Sequence, residues 1–483
     1  MILIRGAERL LIDESTQRTG ELRISDVVLP DRTPSAPPTE PETRPETPDE
    51  VLDATGCVVT PGLINAHHHL LQSAFRTLPG TRGVPMADWL TVMAAAYATV
   101  GVDPELCSLA AEVGVAEGLL CGVTTVADHH LTWPAGADTV AMARATVAAA
   151  TGLGGRLVLV RGSARDDPEQ AALSAEAIVT ALLPEASPAG AEGRATDGVR
   201  AADGVRPVDG VRAAGGVRAV GGVRADGMLQ VAVGPAGVHS DGEPTFRLLG
   251  EVAARFGLRR RTQANEQVDV AIAAERYGRR PLELLAEWGW LAPDVTLAHL
   301  CGVTGTEIAG LAAAGVSATH APGCDLPMGW GIAPVAALRA AGIRVGLGTS
   351  GGGSNDAGHL LADARLALQV APLVGPPLSA LQVLGMATEG SAAGLGRTEL
   401  GHLRPGAAAD LCVWDVSGVA DAGVADPLAG LLWAAPGRRP KHVIVAGRVV
   451  VRDGVLITGD ERAIGARLRA RLGSRRLGDQ GRS

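Results

Sequence analysis

The chain has 483 residues, 46% of them hydrophobic and 20% charged, which suits a globular protein with a large buried core. A net charge of −9 without any basic block excludes nucleic acid as a natural partner. No apolar run reaches the ~18 residues a membrane span needs, and six scattered cysteines without a Cys-x-x-Cys pair argue against a disulfide framework or a cysteine-rich zinc site.

The opening segment MILIRGAERLLIDE has charges inside its apolar run and no cleavage-like site. No signal peptide is read there, and the expected compartment is the cytoplasm. Residues 1–30 are expected as short strands, MILIRG, RLLIDE and ELRISDVVL. The proline- and acid-rich DRTPSAPPTEPETRPETPDE that follows cannot pack and is expected as a mobile loop.

From Val58 onward, apolar β-type runs alternate with alanine-rich helical segments. The candidate strands are CVVTPGLINA, GVTTVAD, GRLVLVRG, LQVAVGPAG, LRRRTQA, VTLAH, GVSATHA and IRVGLGT. Eight such units predict an α/β fold, a (β/α)8 TIM-type barrel. The span is lengthened by a low-complexity insert at 185–227. There Gly-Val-Arg recurs every six residues, at Gly198, Gly204, Gly210, Gly216 and Gly222. It is expected to be disordered and to emerge opposite the catalytic face. After about Leu400 the pattern returns to short strands. They are expected to join the N-terminal strands in a small β-sandwich domain. The boundaries predicted are 1–57 and 399–460 for that domain, 58–398 for the barrel, and 461–483 for a C-terminal helix and tail.

The strongest chemical signal is PGLINAHHHLLQS. At the end of a strand, residues i and i+2 point the same way, so His67 and His69 both face the barrel mouth while His68 points elsewhere. Two such imidazoles can bind one zinc-like ion at ~2.0–2.1 Å. Trp89 and Trp330 are candidates to line a pocket for a flat ring, with core packing the alternative for each.

Pro-Gly-Leu-Ile-Asn-x-His-x-His after a small β domain resembles the amidohydrolase superfamily, in its branch of heterocycle deaminases and chlorohydrolases. GVTTVADHHL, DLPMGWGIAPV and GLGTSGGGSNDAGHLLADARLAL are most similar to s-triazine hydrolases, and HHHLLQS with Gln72 to 8-oxoguanine and isocytosine deaminases. The resemblance implies a metal-dependent hydrolase of carbon–nitrogen bonds in a small nitrogen heterocycle. It implies one divalent ion, zinc or alternatively iron, and a homodimer is one expected assembly.

The resemblance also assigns roles. The family has a metal-binding His at the end of strand five and a catalytic Glu three residues later. In RRRTQANEQVDV the Glu is Glu266, but Gln263 occupies the His position and is a weaker ligand. His299 in TLAHLCG matches the active-site His of strand six. His320 in SATHAPG is a candidate for substrate contact, as are Gln72, Trp89, Trp330 and Ser350. Ser350 stands where most deaminases of the family carry a metal-binding Asp, while the triazine-hydrolase branch has a hydroxyl residue there. His129, His130 and His239 follow strands two and four, and His239 is a candidate to complete the metal site. The rival expectation is a catalytically lapsed barrel that binds a small heterocycle. The joint presence of His67, His69, Glu266 and His299 argues for the enzyme.

Overall fold

A computed structural model describes residues 2–24, 48–184 and 221–474. Eight strands, numbered here in words along the chain, run parallel and in sequence order round one curled sheet. They are Leu63–His69, Val123–His130, Arg156–Ser163, Leu229–Pro235, Arg259–Ala264, Val295–His299, Ser317–His320 and Val345–Leu347. Strand eight breaks at Gly348 and Thr349 and resumes as Ser350–Gly351, which pairs with His68 and His69 of strand one. The arrangement is TIM-like. Gly348 is required at the break, because a Cβ there would lie 2.8 Å from the Cβ of His67.

The strands alternate as a sheet covered on both faces must. Ile64, Ala127, Val158, Val160 and Ala232 pack with Ala392 and Leu395 in one apolar cluster. Leu63, Val126, Leu157, Leu159, Val231 and Val233 belong to the larger core shared with the helices. Three of those helices start on an aspartate whose side chain accepts a backbone N–H of the first turn: Asp103 from Leu106, Asp138 from Ala141 and Asp167 from Gln170. Proline follows Asp103 and Asp167, where its missing N–H costs nothing.

The second sheet is mixed and draws on both ends of the chain. Its order is Val455–Leu456, Arg448–Arg452, His442–Val445, Leu411–Asp415, Cys57–Pro61, Ile2–Leu11 and Gln17–Arg23, with Glu50–Asp53 added beside Ile2–Leu11. One ladder joins these strands, and they share a core around Ile4, Leu10, Val59, Leu411 and Ile444. A buried ion pair fastens this part to the barrel. Arg156, at the base of strand three, grips Asp410 through two hydrogen bonds of 2.7 and 2.9 Å. Asp410 in turn accepts the N–H of Ala446.

Three expectations are corrected. MILIRG and RLLIDE form one strand, Ile2–Leu11, with an irregularity between Ile4 and Ala7 where Gly6 takes φ +81°. CVVTPGLINA is two strands in two sheets, and the chain changes sheet at Gly62, where a Cβ would collide with Thr124. The expected disorder does not extend through residue 227. Residues 221–227 dock on strand four, where Val223 bridges Gln230 and the carbonyl of Gly227 accepts from Arg156 and Arg397, each at 2.9 Å. Residues 185–220 of the insert and most of the proline-rich stretch lie outside the described residues.

Candidate active site

The C-terminal ends of the barrel strands converge on a cavity of about 400 Å³. Its walls are largely apolar, with Trp89, Met93, Tyr97, Trp133, Met328 and Trp330 around it. Of the residues singled out from sequence, His69, Gln72, Trp89, His129, His130, His239, Gln263, Trp330 and Ser350 line this space. His67, Glu266 and His299 are buried beside it and linked to it through their neighbours. His320 is not among the lining residues. Its Nδ1 lies 3.8 Å from Asp325 Oδ2, so it backs the site and does not face it.

Strand one delivers two imidazoles as the i, i+2 geometry requires. The rings of His67 and His69 sit 4.9 Å apart at 80°. His69 donates from Nδ1 to the carbonyl of His129 at 2.6 Å, which leaves Nε2 for another partner. Nε2 of His67 is buried without any hydrogen bond. Burial holds both rings well below the ordinary histidine pKa, so they are neutral. Two neutral imidazoles with free nitrogens, one of them a buried and otherwise unsatisfied atom, fit a divalent metal ion. His68 points the other way and ties strand one to strand eight, with Nδ1 2.5 Å from the carbonyl of Ser350.

Strand five adds a weaker donor. Oε1 of Gln263 lies 3.0 Å from Nε2 of His299, and that ring's Nδ1 lies 2.6 Å from Asp325 Oδ1. With an oxygen facing each nitrogen, the protonated ring satisfies both contacts. Burial alone would lower the His299 pKa, but the Asp325 carboxylate overrides it and the net shift is upward. Glu266 lies 3.6 Å from the same Nε2, and both its oxygens are buried without a hydrogen bond. Burial raises its pKa against the opposing pull of His299 and His239. A carboxyl shifted upward in this way is suited to take up and return a proton. Cys324 brings a third ligand-type atom within 4.8 Å of His299 and Asp325. There the imidazole and the carboxylate already satisfy each other.

Ser350 lies on the cavity wall in a left-handed conformation, φ +55°, and offers only a hydroxyl. The glycine turn behind it is braced by Gln72, which accepts the N–H of Gly353 at 3.0 Å, and by Trp89, which donates to the carbonyl of Gly353 at 3.0 Å. His129 lines the cavity, with Nε2 donating to the carbonyl of Gly234 and burial pushing its pKa down to about 4. His130 turns its Nε2 to the carbonyl of Thr132. Asp356 lies apart, accepting from Thr77 and paired with Arg82.

Sequence reasoning missed Asp325, Asp269 and Asp128. Asp325 reaches His299 from 26 residues away, and Asp269 reaches His239 from 30. Asp128 on strand two accepts the N–H of Leu70, and burial pushes its pKa up to about 7. Only Asp128 carried a local signal, in the ADHH run that ends strand two.

These features have counterparts in known proteins. The sequence is 34% identical over 435 residues to the 8-oxoguanine deaminase of Pseudomonas aeruginosa, covering 86% of this chain and 87% of that one. It is 31% identical over 420 residues to a 5-methylthioadenosine/S-adenosylhomocysteine deaminase of Halobacterium salinarum, covering 86% of each. The fold is similar to that of the atrazine chlorohydrolase from Arthrobacter aurescens crystallised with zinc. The TM-score is 0.80 at 31% identity, over 98% of this chain and all of that one. The amidohydrolase family profile matches residues 58–450. With its strand-one imidazoles, buried glutamate and barrel matched along most of the sequence, the chain belongs to the amidohydrolase family and is a hydrolase.

Proposed function

We propose that the protein hydrolyses a carbon–nitrogen bond at an sp² ring carbon of a nitrogen heterocycle, as a deaminase or a triazine-hydrolase type enzyme. The observation that carries this reading is the buried Glu266 carboxylate, without a hydrogen bond and 3.6 Å from His299, beside two neutral strand-one imidazoles and an aromatic-walled cavity. His67 and His69, with Gln263 as a weak third donor, would hold one divalent ion, zinc or alternatively iron. When bound, such an ion supplies Lewis acidity that makes water a competent nucleophile near neutral pH.

The chain's own groups manage the protons. Water oxygen bonds to the ring carbon, and the exocyclic carbon–nitrogen bond breaks with its electron pair left on nitrogen. One water proton ends on the departing amine and the other on the ring nitrogen. Glu266 carries a proton between these sites, and the cationic His299 steadies the charge that develops meanwhile. Trp89 and Trp330 flank the flat ring, with Gln72 and Ser350 on the same wall and His320 behind.

The domain division follows the same reading. It places residues 58–398 in the catalytic barrel, 1–57 with 399–460 in a small domain folded over its core as a sandwich, and 461–483 as a terminal helix and tail. The six cysteines are all free, which suits a reducing cytoplasm, and none of the described helices is long and apolar enough to cross a membrane. Metal analysis of the purified protein with a hydrolysis screen of purines, pyrimidines and triazines tests the function. Metal at one equivalent with turnover of a member of the screen supports it. A folded protein that binds these rings without turnover would instead support the lapsed barrel.

A further inference from the structure

Two imidazoles act electrostatically on Glu266. His299 is one, and His239, in the loop after strand four, is the other. Of these two, only His239 lines the cavity. Its Nδ1 lies 3.2 Å from Asp269 Oδ1, and the same oxygen accepts its backbone N–H at 3.1 Å. Asp269 is itself fixed, since its other oxygen accepts the N–H of Asn265 at 2.9 Å. With Nδ1 taken, Nε2 is the ring nitrogen left for the cavity. Both residues are buried, with His239 only 5% exposed and Asp269 1%.

Resting on the proposed heterocycle chemistry, we infer that His239 is a substrate-facing catalytic residue, oriented by Asp269, whose Nε2–H donates to the heterocycle atom that gains negative charge as water adds. A carboxylate on Nδ1 fixes the ring's orientation and stabilises the imidazolium, the form in which Nε2 carries a proton. Burial works against that charge, but the Asp269 hydrogen bond and the Glu266 and Asp241 carboxylates outweigh it and the net shift is upward. A cationic donor in that place is a poor metal ligand, which separates this role from completion of the metal site.

The test uses zinc-loaded full-length protein. His239→Leu should lower kcat by ~100-fold, the scale of one lost transition-state donor, with KM and zinc content little changed. His239→Gln, which restores an N–H donor of similar reach, should recover most of the loss. Zinc content that falls with either variant, or kcat equal to wild type in both, overturns the inference while leaving the proposed function standing. Failure of the wild type to turn over any heterocycle would count against the proposed function itself. The inference is then read from histidine-ring 15N NMR. Its signals for His239 should hold still as zinc is added, while those of His67 and His69 move, and should shift on saturation with purine. A zinc-induced shift of His239, or none with purine, overturns it.

Discussion

On the strand-one side of the site, His67 and His69 are neutral rings whose only anchor is a backbone carbonyl, and among the described residues neither pairs with a carboxylate. On the facing side two imidazoles are backed by acids: His299 by Asp325 and His239 by Asp269. The two sides therefore differ in what their nitrogens can do. A neutral ring with a free nitrogen coordinates, whereas His299 and His239 are both shifted upward beside their carboxylates, which favours the protonated ring that donates. Gln263 sits at the seam, and its carbonyl oxygen is already engaged by His299. Metal holding is thus concentrated on strand one, and proton handling on the other side.

The largest effect should come from the coordinating side. His67→Ala or His69→Ala should bring metal content to background and abolish turnover, as read by metal analysis and the hydrolysis assay. Metal retained at the wild-type level would place the ion elsewhere and dissolve the contrast. On the proton-handling side, Glu266→Gln should cut turnover by ~10²–10⁴-fold, the range for a lost acid–base group, with metal content unchanged. Loss of metal in that variant would make Glu266 a ligand.

The contrast itself was only half legible in the sequence. His67 and His69 announce themselves, because an i, i+2 pair at a strand end must share a face. Gln263 and Glu266 were legible through the family resemblance, which implies a ligand and a glutamate three residues apart at the end of strand five. Asp325 and Asp269 could not be found that way, since each meets its histidine through loops that only the closed barrel brings together. His320, also at a strand end, lies outside the cavity lining with its Nδ1 3.8 Å from Asp325. The strand count was readable from alternating apolar runs, but the change of sheet at Gly62 was not. Cys57–Pro61 and Leu63–His69 are both wholly buried, so neither hydrophobicity nor period separates them.

Smaller effects sharpen the boundary between the two sides. Asp325→Asn keeps the shape but weakens the charge behind His299. It should lower kcat by ~10–100-fold, the scale of a lost orienting partner, with metal content held. A fall in metal equal to that of His67→Ala would move Asp325 to the coordinating side. Ser350→Asp adds a carboxylate to the cavity wall and should raise zinc occupancy modestly, as measured by equilibrium dialysis. No gain would mean that the strand-eight residue does not reach the ion.

The central claim, that metal holding depends on strand one because strand five contributes only an amide, is tested most directly by titrating zinc into metal-free wild type and Gln263→His under identical conditions. Borderline metals prefer imidazole nitrogen to a neutral amide oxygen. The variant should therefore bind zinc more tightly and the wild type should purify partly empty. Wild-type binding as tight as that of the variant would contradict the claim, because another residue would then have to complete the site.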